Sequence, residues 1–255
     1  MPGEARLTRR GLIGGTAAVV GGALLGPLSG PRDVASAQAA PRAYTRAAWE
    51  ARPPKVAATV LDRAPDRIVV HHTASANTVD PSLEQAFALS RSIQNFHMDT
   101  NGWADSGQQL TISRGGHLME GRNRTLEAVR ARRHVVGAHT FGQNDHTIGI
   151  ENEGTYMTET PTDALWAKLV QTCAWLCDAY GLGPHEAIVG HRDYNQTSCP
   201  GDALYALLPD LRDQVAGALG ERRTAARSRV GPSGLPGPRH TFDHGPALAP
   251  GELAR

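Results

Sequence analysis

Two separated stretches hold the residue types that could do chemistry. One is Arg67-Ile68-Val69-Val70-His71-His72-Thr73; the other is Gly190-His191-Arg192-Asp193-Tyr194-Asn195-Gln196-Thr197-Ser198-Cys199-Pro200-Gly201. Two imidazoles and one thiolate suit zinc, a borderline-soft cation that accepts nitrogen and sulfur alike. Three protein ligands leave the fourth tetrahedral position open to water, which separates a hydrolytic zinc from a structural one. H-x7-C spacing alone is looser than the structural zinc motifs, and a solitary His or Cys is more often packed or solvated. The context adds weight. Pro200-Gly201 after Cys199 fixes a turn and removes a backbone donor, so the thiol sits in a shaped loop. His71 ends the apolar run Ile68-Val69-Val70, and His191 follows Ala187-Ile188-Val189-Gly190. Both runs predict strands, which are rigid supports for ligands at one edge of a sheet.

The rest of the chain supplies elements to position these groups. Asp80-Pro81 reads as a helix N-cap and first helical residue, and Leu83, Ala86, Phe87, Ile93 and Phe96 carry the helix to about His97, before Asn101-Gly102. Residues 109–113 and 117–120 predict a hairpin about Arg114-Gly115-Gly116. Thr147-Ile148-Gly149-Ile150-Glu151 reads as a strand. A helix over 163–180 places Leu165, Leu169, Cys173, Leu176 and Cys177 on one face and stops at Gly181. Residues 187–190 predict another strand, and 204–219 a helix broken near Pro209. Strands interleaved with helices imply an α/β sandwich about one central sheet.

Composition bounds the whole. A net charge of +1 over 255 residues argues against nucleic acid as a partner. Residues 1–40 read as an export signal. They carry basic Arg6, Arg9 and Arg10, a Gly-interrupted apolar stretch, and the small-residue cleavage patterns Ala35-Ser36-Ala37 and Ala37-Gln38-Ala39. Thr8-Arg9-Arg10-Gly11-Leu12-Ile13 resembles the twin-arginine export motif. The expectation is a secreted or wall-associated protein with no stable membrane anchor after cleavage. Residues 221–255 are rich in Pro and Gly without apolar periodicity and predict a disordered tail. That leaves 41–220 as one domain, expected to be monomeric. Three cysteines are too few for a disulfide scaffold, and Cys173 and Cys177 read as packing residues of the helix.

Several motifs together resemble the peptidoglycan recognition proteins and type 2 amidases. Thr45-Arg46-Ala47-Ala48-Trp49-Glu50-Ala51-Arg52-Pro53-Pro54 is similar to their opening segment, followed in the family's order by His71-His72-Thr73-Ala74 and Ser92-Ile93-Gln94-Asn95-Phe96-His97-Met98-Asp99-Thr100-Asn101-Gly102-Trp103. Met119-Glu120-Gly121-Arg122, Val136-Gly137-Ala138-His139-Thr140 and Thr147-Ile148-Gly149-Ile150 complete the match over about 43–218. The resemblance implies a single domain with a central mixed β-sheet flanked by α-helices. It also implies a zinc-dependent N-acetylmuramoyl-L-alanine amidase with His71, His191 and Cys199 as metal ligands and peptidoglycan or muropeptide as partner.

One departure bears on mechanism. Relatives carry Tyr after Trp-x-Asp-x-Gly, and that Tyr assists the nucleophilic water; here Trp103-Ala104-Asp105-Ser106-Gly107 is followed by Gln108. A carboxamide does not exchange a proton near neutral pH, so Gln108 reads as a substrate contact at most. Gly149-Ile150-Glu151-Asn152-Glu153-Gly154 resembles Gly-Ile-Glu-x-Glu-Gly of bacterial anhydro-muropeptide amidases, which lack that Tyr and use the first Glu as base. Glu151 is therefore the expected general base, against the alternative of a solvated or salt-bridged carboxylate. Thr197 matches a family position occupied by Lys or Thr and is expected to donate to the developing oxyanion. His139 matches a substrate-cleft His, while His72 reads as a substrate contact, a support for the ligands or a packed residue. The competing function is a recognition module that binds muropeptide without cutting it; such modules lack the zinc Cys, which is present here as Cys199.

Overall fold

Short segments with period-two alternation build one mixed sheet between two unlike covers. The structure, a computed structural model, describes residues 40–220, so the expected export signal (1–40) and tail (221–255) fall outside the described residues, apart from residue 40. In chain order the elements are β1 (Ala43–Tyr44), β2 (Val60–Leu61), β3 (Arg67–His72), α1 (Leu83–Asn95), β4 (Leu110–Ile112), β5 (Leu118–Glu120) and α2 (Thr125–Arg130). They continue with β6 (His134–Val135), β7 (Thr147–Asn152), α3 (Asp163–Tyr180), α4 (Pro184–Ala187), β8 (Ile188–Gly190), α5 (Asp202–Ala206) and α6 (Leu208–Ala218). The sheet runs β1-β5-β4-β7-β3-β8, with β2 and β6 as a separate antiparallel pair. Only β4 and β5 are antiparallel within the large sheet; the other neighbours are parallel. Among the described residues no helix is long and apolar enough to cross a membrane.

Alternation decides what each face carries. Ile68, Val70, Leu110, Ile112, Ile148 and Ile150 pack with Leu165, Leu169 and Cys173 of α3 and Leu211 and Val215 of α6 in one core. The opposite face carries a row set by register: Met119 stands opposite Thr111, Thr111 beside Glu151, and Glu151 beside His71. At one end of that row Met119 is covered by Ala86 of α1 and by Trp49. The polar end carries the chemistry. Cys173 and Cys177 are buried and unbridged, as expected of packing residues.

The predicted hairpin forms with shorter strands, Leu110–Ile112 and Leu118–Glu120, and the helix over 163–180 forms with the expected bounds, Gly181 closing it in the left-handed conformation (φ 68°). Three local expectations change. Helix α1 is capped by Ser82, whose Oγ accepts from Gln85 N (3.1 Å), because Asp80 Oδ1 already accepts from Ser82 N (2.8 Å) in a turn ahead of the helix. Its C-terminal end runs into a π-helical turn, Phe96–Thr100. The expected strand from 187 starts one residue later, since Ala187 finishes the turn of α4. The Trp103–Asp105 stretch is scaffold. The buried Asp105 carboxylate accepts from Gln94 Nε2 (2.7 Å), Asn123 N (2.9 Å) and Asn123 Nδ2 (2.8 Å), and pairs with Arg46 (3.1 Å).

Candidate metal centre

Strand β3 delivers His71 at its penultimate position, and the parallel neighbour β8 delivers His191 one residue beyond its end. Cys199 comes from the loop that follows. That loop is shaped by Arg192, whose backbone N donates to Cys199 O (3.1 Å) and whose guanidinium donates to Ser198 O and pairs with Asp202 (2.6 Å). Thr197 Oγ1 accepts from Cys199 N (3.1 Å). Gly201 follows at φ 95°, where a Cβ would lie 2.2 Å from Tyr156 O, so the tight turn after Cys199 admits glycine. The Cys199–Pro200 bond is cis.

The three expected ligands meet. One donor atom from each of His71, His191 and Cys199 lies within 4.8 Å of the others, and all three residues are buried. Cys199 Sγ is 3.6 Å from His71 Nδ1. In a tetrahedral zinc site with Zn–N of about 2.0 Å and Zn–S of about 2.3 Å, that edge would be about 3.5 Å. Hydrogen bonds set the tautomers. His139 Nε2 faces the carbonyl of Thr147 (3.3 Å) and so carries the proton, which makes its Nδ1 an acceptor. His71 Nε2, 3.0 Å from that Nδ1, is then the donor, leaving the lone pair of His71 Nδ1 toward the thiol. His191 Nε2 likewise donates to Asn195 Oδ1 (3.0 Å), leaving Nδ1 for a metal. Holding the far nitrogen is how proteins orient imidazole ligands. Burial, and next the charge of Glu151, push the Cys199 thiol well above its ordinary value, opposed by the His72 N–H and Arg192. A thiol, a carboxylate and two imidazoles in one dry site are what a divalent cation would balance. The donor set therefore fits zinc.

The other expected site residues divide. Glu151 is buried, one strand from His71 in the same row. Gln108 reaches this row too, its Nε2 donating to Thr111 Oγ1 (2.9 Å) beside Glu151. Thr197 stands on the ligand loop. His72 faces the other side of the strand from His71, its Nδ1 accepting from Tyr156 N (3.2 Å) while its backbone N–H points at Cys199 Sγ (3.4 Å). Both ring nitrogens of His139 are engaged, one of them with His71. Gly149 permits this, because a Cβ there would lie 2.6 Å from His139 Nδ1. Glu153 is tied to Gln85 (3.1 Å) and Arg114 N (2.7 Å), away from proton transfer. Sequence reasoning missed Asn195, Thr140 and Asn144; only the polar run after His191 hinted at the first.

Comparison with known proteins identifies the fold and family. A family model described as N-acetylmuramoyl-L-alanine amidase (Amidase_2) matches residues 61–202. The human N-acetylmuramoyl-L-alanine amidase is 33% identical over 169 residues, 66% of this chain and 28% of that protein. The chain spans 27–30% of the length of the amidases it matches in human, pig and mouse. Among solved structures, Drosophila PGRP-LB superposes with a TM-score of 0.56 at 28% identity, covering 65% of this chain and 91% of that one. Peptidoglycan recognition protein LE in complex with tracheal cytotoxin, a monomeric diaminopimelic acid-type peptidoglycan, gives 0.56 at 26% identity, over 64% and 89% of the two chains.

Proposed function

Because the chain belongs to the N-acetylmuramoyl-L-alanine amidase family, we propose that it is a zinc-dependent amidase that cuts the amide between the lactyl group of N-acetylmuramic acid and L-alanine of the stem peptide. The observation that carries this reading is the convergence of His71, His191 and Cys199, with far imidazole nitrogens already held. Zinc held by His71, His191 and Cys199 would supply Lewis acidity, polarising a carbonyl and making water nucleophilic near neutral pH. Glu151 takes a proton from the attacking water and returns it to the departing nitrogen. The water oxygen bonds the lactyl carbonyl carbon, the C–N bond breaks, and a carboxylate and a free amine result. Thr197, on the ligand loop with its oxygen accepting from Cys199 N, is assigned to donate to the developing oxyanion. Gln108 supplies a hydrogen-bonding carboxamide and no proton carrier. His139 keeps His71 in the metal-binding tautomer.

Muropeptide as ligand is supported by the recognition protein of similar fold that binds tracheal cytotoxin. Export belongs to the same proposal, since the polymer lies outside the cytoplasmic membrane and residues 1–40 carry the twin-arginine-like pattern. Mass spectrometry of sacculi digested with and without a chelator tests the activity. Stem peptides with free L-alanine amino termini, lost on chelation and restored by zinc, are expected. Sacculus binding without release would leave a recognition module.

A further inference from the structure

One side chain beside the metal centre reaches beyond the imidazole it holds to a second loop. Asn195 stands four residues after His191, half-buried, in the loop leading to Cys199. Its Oδ1 accepts from His191 Nε2 (3.0 Å) and from Phe141 N (3.0 Å), and its Nδ2 donates to Phe141 O (3.3 Å). Phe141 ends a segment whose two preceding residues engage the other imidazole ligand. His139 Nδ1 is 3.0 Å from His71 Nε2, and Thr140 Oγ1 is 2.9 Å from His139 Nδ1. Asn144 Oδ1 closes this loop by accepting from His139 N (2.8 Å) and Thr140 N (3.0 Å). The far nitrogens of both imidazoles are thus tied to one loop, 139–144, His71 directly and His191 through a single carboxamide.

We infer that Asn195 is a positioning residue that locks His191 to the 139–144 loop, so that one hydrogen-bonded strap orients both imidazoles for zinc. The inference rests on the zinc reading above. The chemistry of the side chain is specific. An acceptor is needed for His191 Nε2–H and for Phe141 N–H, and a donor for Phe141 O; a carboxamide offers both at opposite ends. A carboxylate keeps the two acceptor bonds and loses the donor, and an aliphatic side chain loses all three. Phe141 rides on the same tie. The residue is 42% exposed, yet its backbone is held at both N and O.

The test uses the full chain. Zinc affinity is measured by competition with a chromophoric chelator, and cobalt(II) is substituted to read the geometry of the site from its visible absorption. Asn195→Leu and Asn195→Ala are expected to bind zinc about 10–100-fold more weakly than wild type, the usual cost of losing such a support. Their cobalt bands should shift while far-ultraviolet circular dichroism stays unchanged. Asn195→Asp, which keeps the acceptor on His191, is expected to recover most of the affinity. Wild-type affinity and an unchanged cobalt spectrum in both Leu and Ala variants would overturn the inference. Failure of the wild-type protein to bind zinc would instead overturn the zinc reading on which it rests.

Discussion

Gly149→Ala puts the arrangement behind His71 to a quantitative test. In the middle of a strand, Ala ordinarily stabilises relative to Gly, by about 0.4–1 kcal/mol, because the unfolded chain loses freedom. Here the added Cβ would lie 2.6 Å from His139 Nδ1 and 2.7 Å from its Cγ, where ordinary contact begins near 3.4 Å. The ring must therefore move by about 0.8 Å in a tightly packed layer, a change that typically costs about 1–3 kcal/mol. The sign of the effect reverses. Net of the chain-entropy gain, at about 2–4 °C per kcal/mol for a domain of this size, the apo protein should melt up to about 10 °C lower. A displacement of that size also misaligns the 3.0 Å contact to His71 Nε2, so zinc affinity should fall about 10–100-fold. Differential scanning calorimetry and chelator competition read the two effects. Removing the ring first supplies the control: the double variant Gly149→Ala with His139→Ala should be no less stable than His139→Ala alone, since the Cβ then occupies vacated space. A raised melting temperature with unchanged zinc affinity in Gly149→Ala would refute the placement of His139 over Gly149, and with it the tautomer chain to His71.

Three further outcomes are expected. Cys199→Ser should bind well below one zinc per chain by elemental analysis and lose hydrolysis, because a hydroxyl is a poor zinc ligand and the site has no spare donor; retention of both would remove Cys199 from the ligand set. Glu151→Gln should keep zinc and fold but lose about 10²–10⁴ in kcat on purified muropeptide, with KM little changed; activity within about threefold of wild type would leave Glu151 a structural carboxylate. His134, buried with Nε2 on the carbonyl of Asn144 (2.8 Å), has its pKa lowered chiefly by desolvation. The unfolded chain therefore binds a proton more readily than the folded one, and stability should fall as pH drops below about 6.5. Denaturant unfolding at several pH values should show a shallower decline for His134→Gln, and an identical slope would clear His134 of that role.

What the sequence determined by itself was local. The hairpin about Arg114–Gly116 follows from turn chemistry between two apolar runs, and the helix Asp163–Tyr180 from its periodicity and Gly181. The ligand types and the loop fixed by Pro200-Gly201 were equally legible, because they depend on side-chain chemistry and backbone sterics within a few residues. His71 and His72 were nearly so: period-two alternation already places neighbours on opposite faces of a strand. The roles of His139 and Asn195 were not. His139 reads in sequence as a polar residue near two other histidines, and Asn195 as one polar residue in a polar run. Their functions exist only because β3 lies between β7 and β8 in parallel register, which brings His71 beside Glu151 on one side and near His191 on the other. Parallel register is set by long-range burial of Ile68, Val70, Ile148, Ile150 and Ile188 under α3 and α6, contacts between segments far apart in the chain. The 3.0 Å contact from Asn195 to His191 Nε2 spans four residues, but the one to Phe141 N spans distant segments; loop 139–144 must first be folded against the ligand loop for one carboxamide to reach both.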